Sequence, residues 1–110
     1  MVKPISPTEA AVRIAQGDLD VVDVREPQEW AEGHLPAARL VPLGELRSDP
    51  ARALPRDGVI FVCAAGVRSE TAARLAAQCG FKEVYNLRGG TRAWTRAGLP
   101  LERQDTATAA

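Results

Sequence analysis

The residues best equipped for chemistry in this 110-residue chain lie together, as Cys63-Ala64-Ala65-Gly66-Val67-Arg68-Ser69. They follow a wholly apolar, β-branched run, Val59-Ile60-Phe61-Val62, and precede a helical pattern. A cysteine delivered at the carboxyl end of a buried strand stands where open α/β sheets bind their ligands. The loop behind it opens a helix, so its backbone N–H groups should turn inward as an anion cradle, reinforced by the helix dipole. Gly66 allows backbone angles that other residues resist. Arg68 adds a fixed cation whose guanidinium can hold an oxyanion at two points. A thiol in such a field should have a lowered pKa and carry more thiolate at neutral pH. The spacing therefore describes a nucleophile, Cys63, facing an anion-binding loop made of Ala64, Ala65, Gly66, Val67, Arg68 and Ser69. The competing reading is structural: a buried free cysteine is a small hydrophobe that can simply end a core strand. A glycine and an arginine at the strand-to-helix junction favour chemistry.

The elements that must position this loop are well punctuated. Ser6-Pro7-Thr8-Glu9 is a capping box with proline at the first helical position. That helix should pass Ile14 and Ala15 and stop at Gly17, which tolerates a left-handed cap. Leu19 to Val24 reads as a buried strand, and Pro27 starts a short helix carrying Trp30. A turn at Gly33-His34-Leu35-Pro36 leads to a short strand, Ala38 to Val41, halted by Pro42. Leu43 to Leu54 fits one or two short helices, with irregular joints at Pro50 and Pro55. Asp57-Gly58 is a turn before the strand ending at Cys63. In the following helix Ala72, Leu75, Ala76 and Cys79 recur at i, i+3, i+4 and i+7, which predicts one apolar face stopped by Gly80. Val84 to Leu87 is a further strand. Gly89-Gly90 leads into a last helix with Ala93, Trp94 and Ala97, closed by Gly98 and Pro100. Four apolar strands alternating with helices predict an α/β domain with a mostly parallel sheet covered on both faces. One domain is expected over residues 1–102, with a flexible polar tail at 103–110.

Composition narrows the function classes. With 45% hydrophobic and 25% charged residues the chain is an ordinary globular one. Fourteen basic residues against fourteen acidic ones argue against nucleic acid as a partner, which would require a basic excess. Two cysteines are too few for a disulfide framework or a four-ligand zinc site, so no metal and no cofactor is expected. No apolar stretch approaches a membrane span, and Pro4, Ser6 and Pro7 interrupt the place of a signal peptide, so a cytoplasmic protein without membrane contacts is expected.

Three segments together resemble the rhodanese homology domain: DVREPQEWAEGHLPAA at Asp23 to Ala38, CAAGVRS at Cys63 to Ser69, and VYNLRGGTRAWTRAGLPLE at Val84 to Glu102. The resemblance covers about Asp20 to Glu102, in order and spacing. It implies a three-layer rhodanese-like fold with a roughly five-stranded parallel sheet and helices on both faces. It also implies a thiosulfate sulfurtransferase. The Cys63 thiolate would attack the sulfane sulfur of a small anionic donor such as thiosulfate. The resulting persulfide would pass its outer sulfur to cyanide or to a thiol acceptor, a protein thiol included, by covalent catalysis. A preformed thiolate needs no general base, which suits a chain with a single histidine. Two further readings within the resemblance are a persulfide carrier serving a partner in a sulfur relay and an interaction module. A phosphatase or arsenate reductase is disfavoured, because four residues separate Cys63 from Arg68 where those relatives carry five. The sequence departs from the family at Ala64 and Ala65, where many thiosulfate-using members carry basic residues, and at Arg39-Leu40, where Asn-Ile is common.

The remaining candidates are weighed against that background. His34, in its Gly-His-Leu-Pro turn, is expected to be structural, and Asp23 and Arg25 resemble a family pair that tethers the strand end to backbone. Cys79 follows alanines at core spacing, so a packing role is expected over that of a resolving thiol. Trp30 and Trp94 are expected to be core or near-core. Glu70 either tempers the cup or is solvated.

Overall fold

The computed structural model describes residues 1–54 and 56–103. Five strands, β1 (Val2–Ile5), β2 (Asp20–Asp23), β3 (Ala38–Leu40), β4 (Val59–Val62) and β5 (Val84–Leu87), form one sheet in the order β1-β5-β4-β2-β3. Every neighbouring pair is parallel. Among the described residues, six helices connect or flank them: α1 (Pro7–Gln16), α2 (Pro27–Glu32), α3 (Leu43–Ser48), α4 (Pro50–Ala53), α5 (Val67–Gln78) and α6 (Gly90–Arg96). This is the expected α/β architecture, with helices on both faces of a five-stranded parallel sheet. Among the described residues, no helix is long and apolar enough to cross a membrane.

The expected starts and stops are in place at α1. The Ser6 hydroxyl accepts from the Glu9 N–H at 3.2 Å, Pro7 leads the helix, and Gly17 closes it at φ 76°. The edge strand β1 is an addition: it pairs with β5 from Val2 to Ile5, although Pro4 lies inside it. Proline is tolerated there because an edge strand needs only one side of its backbone for the ladder. The tail expected at 103–110 lies outside the described residues except for Arg103, and Pro55 lies outside them too.

The core is split by the sheet. Side chains alternate along β4, so Val59 and Phe61 pack towards α3, α4 and α5, whereas Ile60 and Val62 pack towards α1 and α6. Cys63 continues the alternation onto the α5 side, where it joins the first cluster. All four residues of β4 are buried, as a central parallel strand requires. The sulfur is thereby aimed by the sheet itself rather than by a mobile loop.

The buried stripe of α5 differs from the predicted one. Ser69, Ala72, Ala73 and Ala76 are buried, while Leu75 is half-buried and Cys79 is exposed. Both stripes satisfy helical spacing, and only the angle at which α5 lies on the sheet selects between them. The small alanines let the helix approach closely. A packing role for Cys79 is therefore incorrect: it is the exposed C-cap residue of α5.

Candidate functional site

Residues 63–69 turn from the end of β4 into α5, and the local chemistry explains the tightness of the turn. Gly66 is the residue before the helix, with φ 100°, a conformation that an L side chain would strain. Its N–H donates to the Cys63 sulfur at 3.1 Å. Behind the loop, Thr91 N–H donates to the Cys63 carbonyl at 2.8 Å and Arg92 N–H to the Ala64 carbonyl at 3.1 Å. Gly90, at φ 62°, makes that approach possible: a Cβ there would overlap the Cys63 oxygen and lie 2.5 Å from the Ala64 carbonyl carbon. The start of α6 thus clamps the loop from below.

Cys63 is buried, only 1% exposed, at the end of β4. Burial pushes its thiol pKa up. The Ser69 hydroxyl and the backbone N–H groups of Ser69, Ala65 and Gly66 pull it down more strongly, and the net value is below that of an ordinary thiol. Ser69 Oγ lies 3.2 Å from the sulfur.

The predicted loop residues separate into three groups. Ser69 is buried against the sulfur, and Ala64 and Gly66 are half-buried. Ala65 and Val67 are exposed, Val67 to 74%, so their side chains point away from the sulfur, and of the two only the Ala65 backbone N–H acts on it. Arg68 points sideways to α2, where it forms two hydrogen bonds with the Glu29 carboxylate at 2.8 and 3.0 Å. That pairing, with a smaller contribution from the Glu26 N–H, holds the Glu29 pKa at about 2 against an opposing push from burial. Glu29 in turn raises the pKa of Arg68. The loop's one charged side chain is therefore already engaged.

Sequence reasoning did not reach Glu29 or Asn86. Glu29 and Arg68 are 39 positions apart, and nothing local announces their meeting. Asn86 had a visible signal, as a polar residue at the third position of the otherwise apolar run Val84 to Leu87. Its side chain accepts from the Ser69 hydroxyl at 2.6 Å and donates at 3.1 Å to both the Gly66 carbonyl and the Glu70 carboxylate. Glu70 also pairs with Arg74.

The other candidates are structural. His34 stacks on Trp30 with ring centroids 3.6 Å apart and its Nδ1 lies 3.1 Å from the Trp30 carbonyl oxygen, while its backbone bridges to Glu102. Asp23 and Arg25 form a buried pair at 2.8 Å, from which Arg25 donates to the Gly33 carbonyl at 2.7 Å. The pair ties the end of β2 to the C-terminus of α2, the element that carries Glu29. Trp94 is buried and donates to the Pro100 carbonyl, and Trp30 is half-buried. Cys79 stands at the other end of α5 from Cys63; twelve residues at about 1.5 Å each separate these ends by roughly 18 Å, beyond disulfide reach. No cluster of His, Cys, Asp and Glu able to hold a metal occurs among the described residues.

Known proteins share the family and the fold of this chain. The profile of the rhodanese-like domain matches residues 6–97. A sulfurtransferase of Allochromatium vinosum is 38% identical over 105 residues, covering 92% of this chain and 95% of its own. The putative sulfur carrier protein YrkF of Bacillus subtilis is 39% identical over 77 residues, covering 70% of this chain; the match spans only 42% of that relative. Among solved structures, a rhodanese-related protein from Thermoplasma volcanium superposes with a TM-score of 0.82 at 30% identity, covering 91% of this chain and 97% of that one.

Proposed function

The chain belongs to the rhodanese-like domain family, and from that premise we propose that it moves sulfane sulfur through a persulfide on Cys63. A sulfur-transfer role is what its sulfurtransferase and sulfur-carrier relatives support. The observation that carries the persulfide is the position of the Cys63 sulfur, buried at the end of β4 with the Gly66 N–H 3.1 Å away. The thiolate attacks the terminal sulfur of a donor R–S–S⁻ or of thiosulfate. A sulfur–sulfur bond to Cys63 forms as the donor's own sulfur–sulfur bond breaks, and a thiolate or sulfite leaves with the electron pair. An acceptor thiolate or cyanide then takes the outer sulfur and returns Cys63 as thiolate. The backbone N–H groups of the loop stabilise the negative sulfur at each stage.

Thiosulfate carries two negative charges, and the loop offers it little free cation. Ala64 and Ala65 supply none, and Arg68 is held by Glu29. That observation favours a second reading beside the free thiosulfate:cyanide enzyme: a carrier that takes sulfur from a persulfide and hands it to a thiol, protein thiols included. Intact-mass measurement after incubation with thiosulfate, and separately with a low-molecular-weight persulfide, tests both. Gain of one sulfur atom on Cys63 is expected from the persulfide in either case. Gain from thiosulfate at a comparable rate would favour the free enzyme, and gain from neither would overturn the assignment.

A further inference from the structure

Asn86 lies behind the sulfur and takes no part in the transfer as described, yet each of its polar atoms is engaged. Its Nδ2 has two protons and two acceptors, the Gly66 carbonyl and the Glu70 carboxylate, both at 3.1 Å. Flipping the amide would set Oδ1 against two acceptors, so the orientation is fixed by its partners. Oδ1 consequently faces Ser69, whose hydroxyl has a single proton and donates it at 2.6 Å. The same Ser69 oxygen lies 3.2 Å from the Cys63 sulfur. One proton thus stands between two acceptors. While Cys63 is a thiol, its S–H can donate to the Ser69 oxygen and Ser69 can donate to Asn86. A thiolate has no proton to give, and Ser69 can stabilise it only by turning its own proton from Asn86 to the sulfur.

We infer that Asn86 is a positioning residue for the sulfur chemistry, holding the Ser69 hydroxyl proton in the thiol form and yielding it when Cys63 carries negative charge. The inference rests on Cys63 as the reactive sulfur. Ionisation sends the cysteine proton to solvent, and the Ser69 proton only rotates. The N–H groups of the loop act on the sulfur in either case, whereas the Ser69 contribution must first outcompete Asn86. The network therefore resists ionisation at rest and responds when charge arrives, so a negative persulfide or an incoming anionic donor draws the same proton.

The charged groups around the sulfur are Arg68 with its partner Glu29 on α2, Glu70 with Arg74 on α5, the Asp23–Arg25 pair at the end of β2, and the exposed Arg88 and Arg92 flanking the start of α6. All remain present in the variants that test the inference, which combine Asn86→Val, a residue suited to a strand, with Ser69→Ala. In a Cys79→Ser background, the rate of Cys63 alkylation by neutral iodoacetamide is followed against pH, together with thiolate absorbance. Asn86→Val should shift the titration down by roughly half to one pH unit, the equivalent of one hydrogen bond, and Ser69→Ala should shift it up. Adding Asn86→Val to Ser69→Ala should then change nothing. An unchanged or upward shift in Asn86→Val would overturn the inference. So would an equal downward shift with Ser69 absent, which would mean that Asn86 acts through Glu70 or the loop. If thermal melting shows Asn86→Val to be unfolded, Asn86→Ala takes its place in the same cycle. Alkylation needs no sulfur donor, so this outcome is independent of whether sulfur transfer is observed.

Discussion

The two cysteines stand at opposite ends of one helix, and nearly every physical variable differs between them. Cys63 precedes the N-terminus of α5, is buried to 1% exposure, and receives backbone N–H groups. Cys79 caps the C-terminus of the same helix and is exposed, and its own N–H is taken by the Leu75 and Ala76 carbonyls. A helix N-terminus presents unpaired donors and positive potential, and a C-terminus presents carbonyl oxygens and negative potential. Exposure alone would rank the two thiols in the order opposite to the one proposed for sulfur chemistry. What separates them is which end of the dipole and which backbone groups a negative sulfur would meet.

The largest predicted effect removes one side of that comparison. Cys63→Ser should lower sulfur uptake from any donor by at least ~10³-fold, because the attacking atom is lost, while thermal melting stays within a few degrees of wild type. A serine variant that still gains sulfur would move the chemistry elsewhere. Next in size is Gly90→Ala. The added Cβ would overlap the Cys63 carbonyl, with φ at 62° as a further strain, so a loss of ~2–4 kcal/mol in denaturant unfolding is expected. The equivalent change at Gly80, at the Cys79 end of α5, meets no atom within 4 Å and should cost only the backbone strain. A smaller loss at Gly90 than at Gly80 would mean that the clamp beneath the loop is not rigid.

The third effect concerns the charge held beside Cys63. Glu29→Gln should free Arg68, lower the KM for thiosulfate roughly three- to tenfold, and raise thiosulfate use relative to persulfide use. An unchanged ratio would mean that Arg68 never reaches the cup. The same pair gives a pH signature. The folded Glu29 pKa, about 2, lies below its ordinary 4.5, so its contribution to stability is complete above about 4.5 and disappears as pH falls towards 2. With Glu29 a third exposed, the contribution is about 1 kcal/mol after solvent screening. Stability curves of wild type and Glu29→Gln should therefore run parallel above pH 5 and converge below it.

The strand–loop–helix unit that carries Cys63, and most other elements, were legible because each is encoded locally. An apolar β-branched run, a glycine before a helix and a capping box all act within a few residues. Three features were not legible, for one shared reason. The Glu29–Arg68 pair, the Asn86–Ser69 contact and the pairing of β1 with β5 each join segments 17 or more positions apart. Asn86 at least announced itself as a polar residue in an apolar strand. Glu29 did not, since a glutamate in the first turn of a helix is ordinary. The α5 stripe failed differently: two stripes met the same periodicity, and only the packing angle on the sheet chose Ser69 over Cys79.

That choice sets the smallest predicted effect. Cys79→Ser replaces an exposed side chain on the C-cap residue, where the helix closes through backbone groups that serine retains, so stability should change by no more than ~0.5 kcal/mol. Sulfur uptake on Cys63 should be unchanged in rate and extent, because about 18 Å of helix separates the sites and no disulfide can bridge it. A stability loss above 1 kcal/mol would restore the packing role that sequence periodicity assigned to Cys79. Slower release of sulfur from Cys63, by contrast, would require the two thiols to meet between molecules, and its dependence on protein concentration would reveal that encounter.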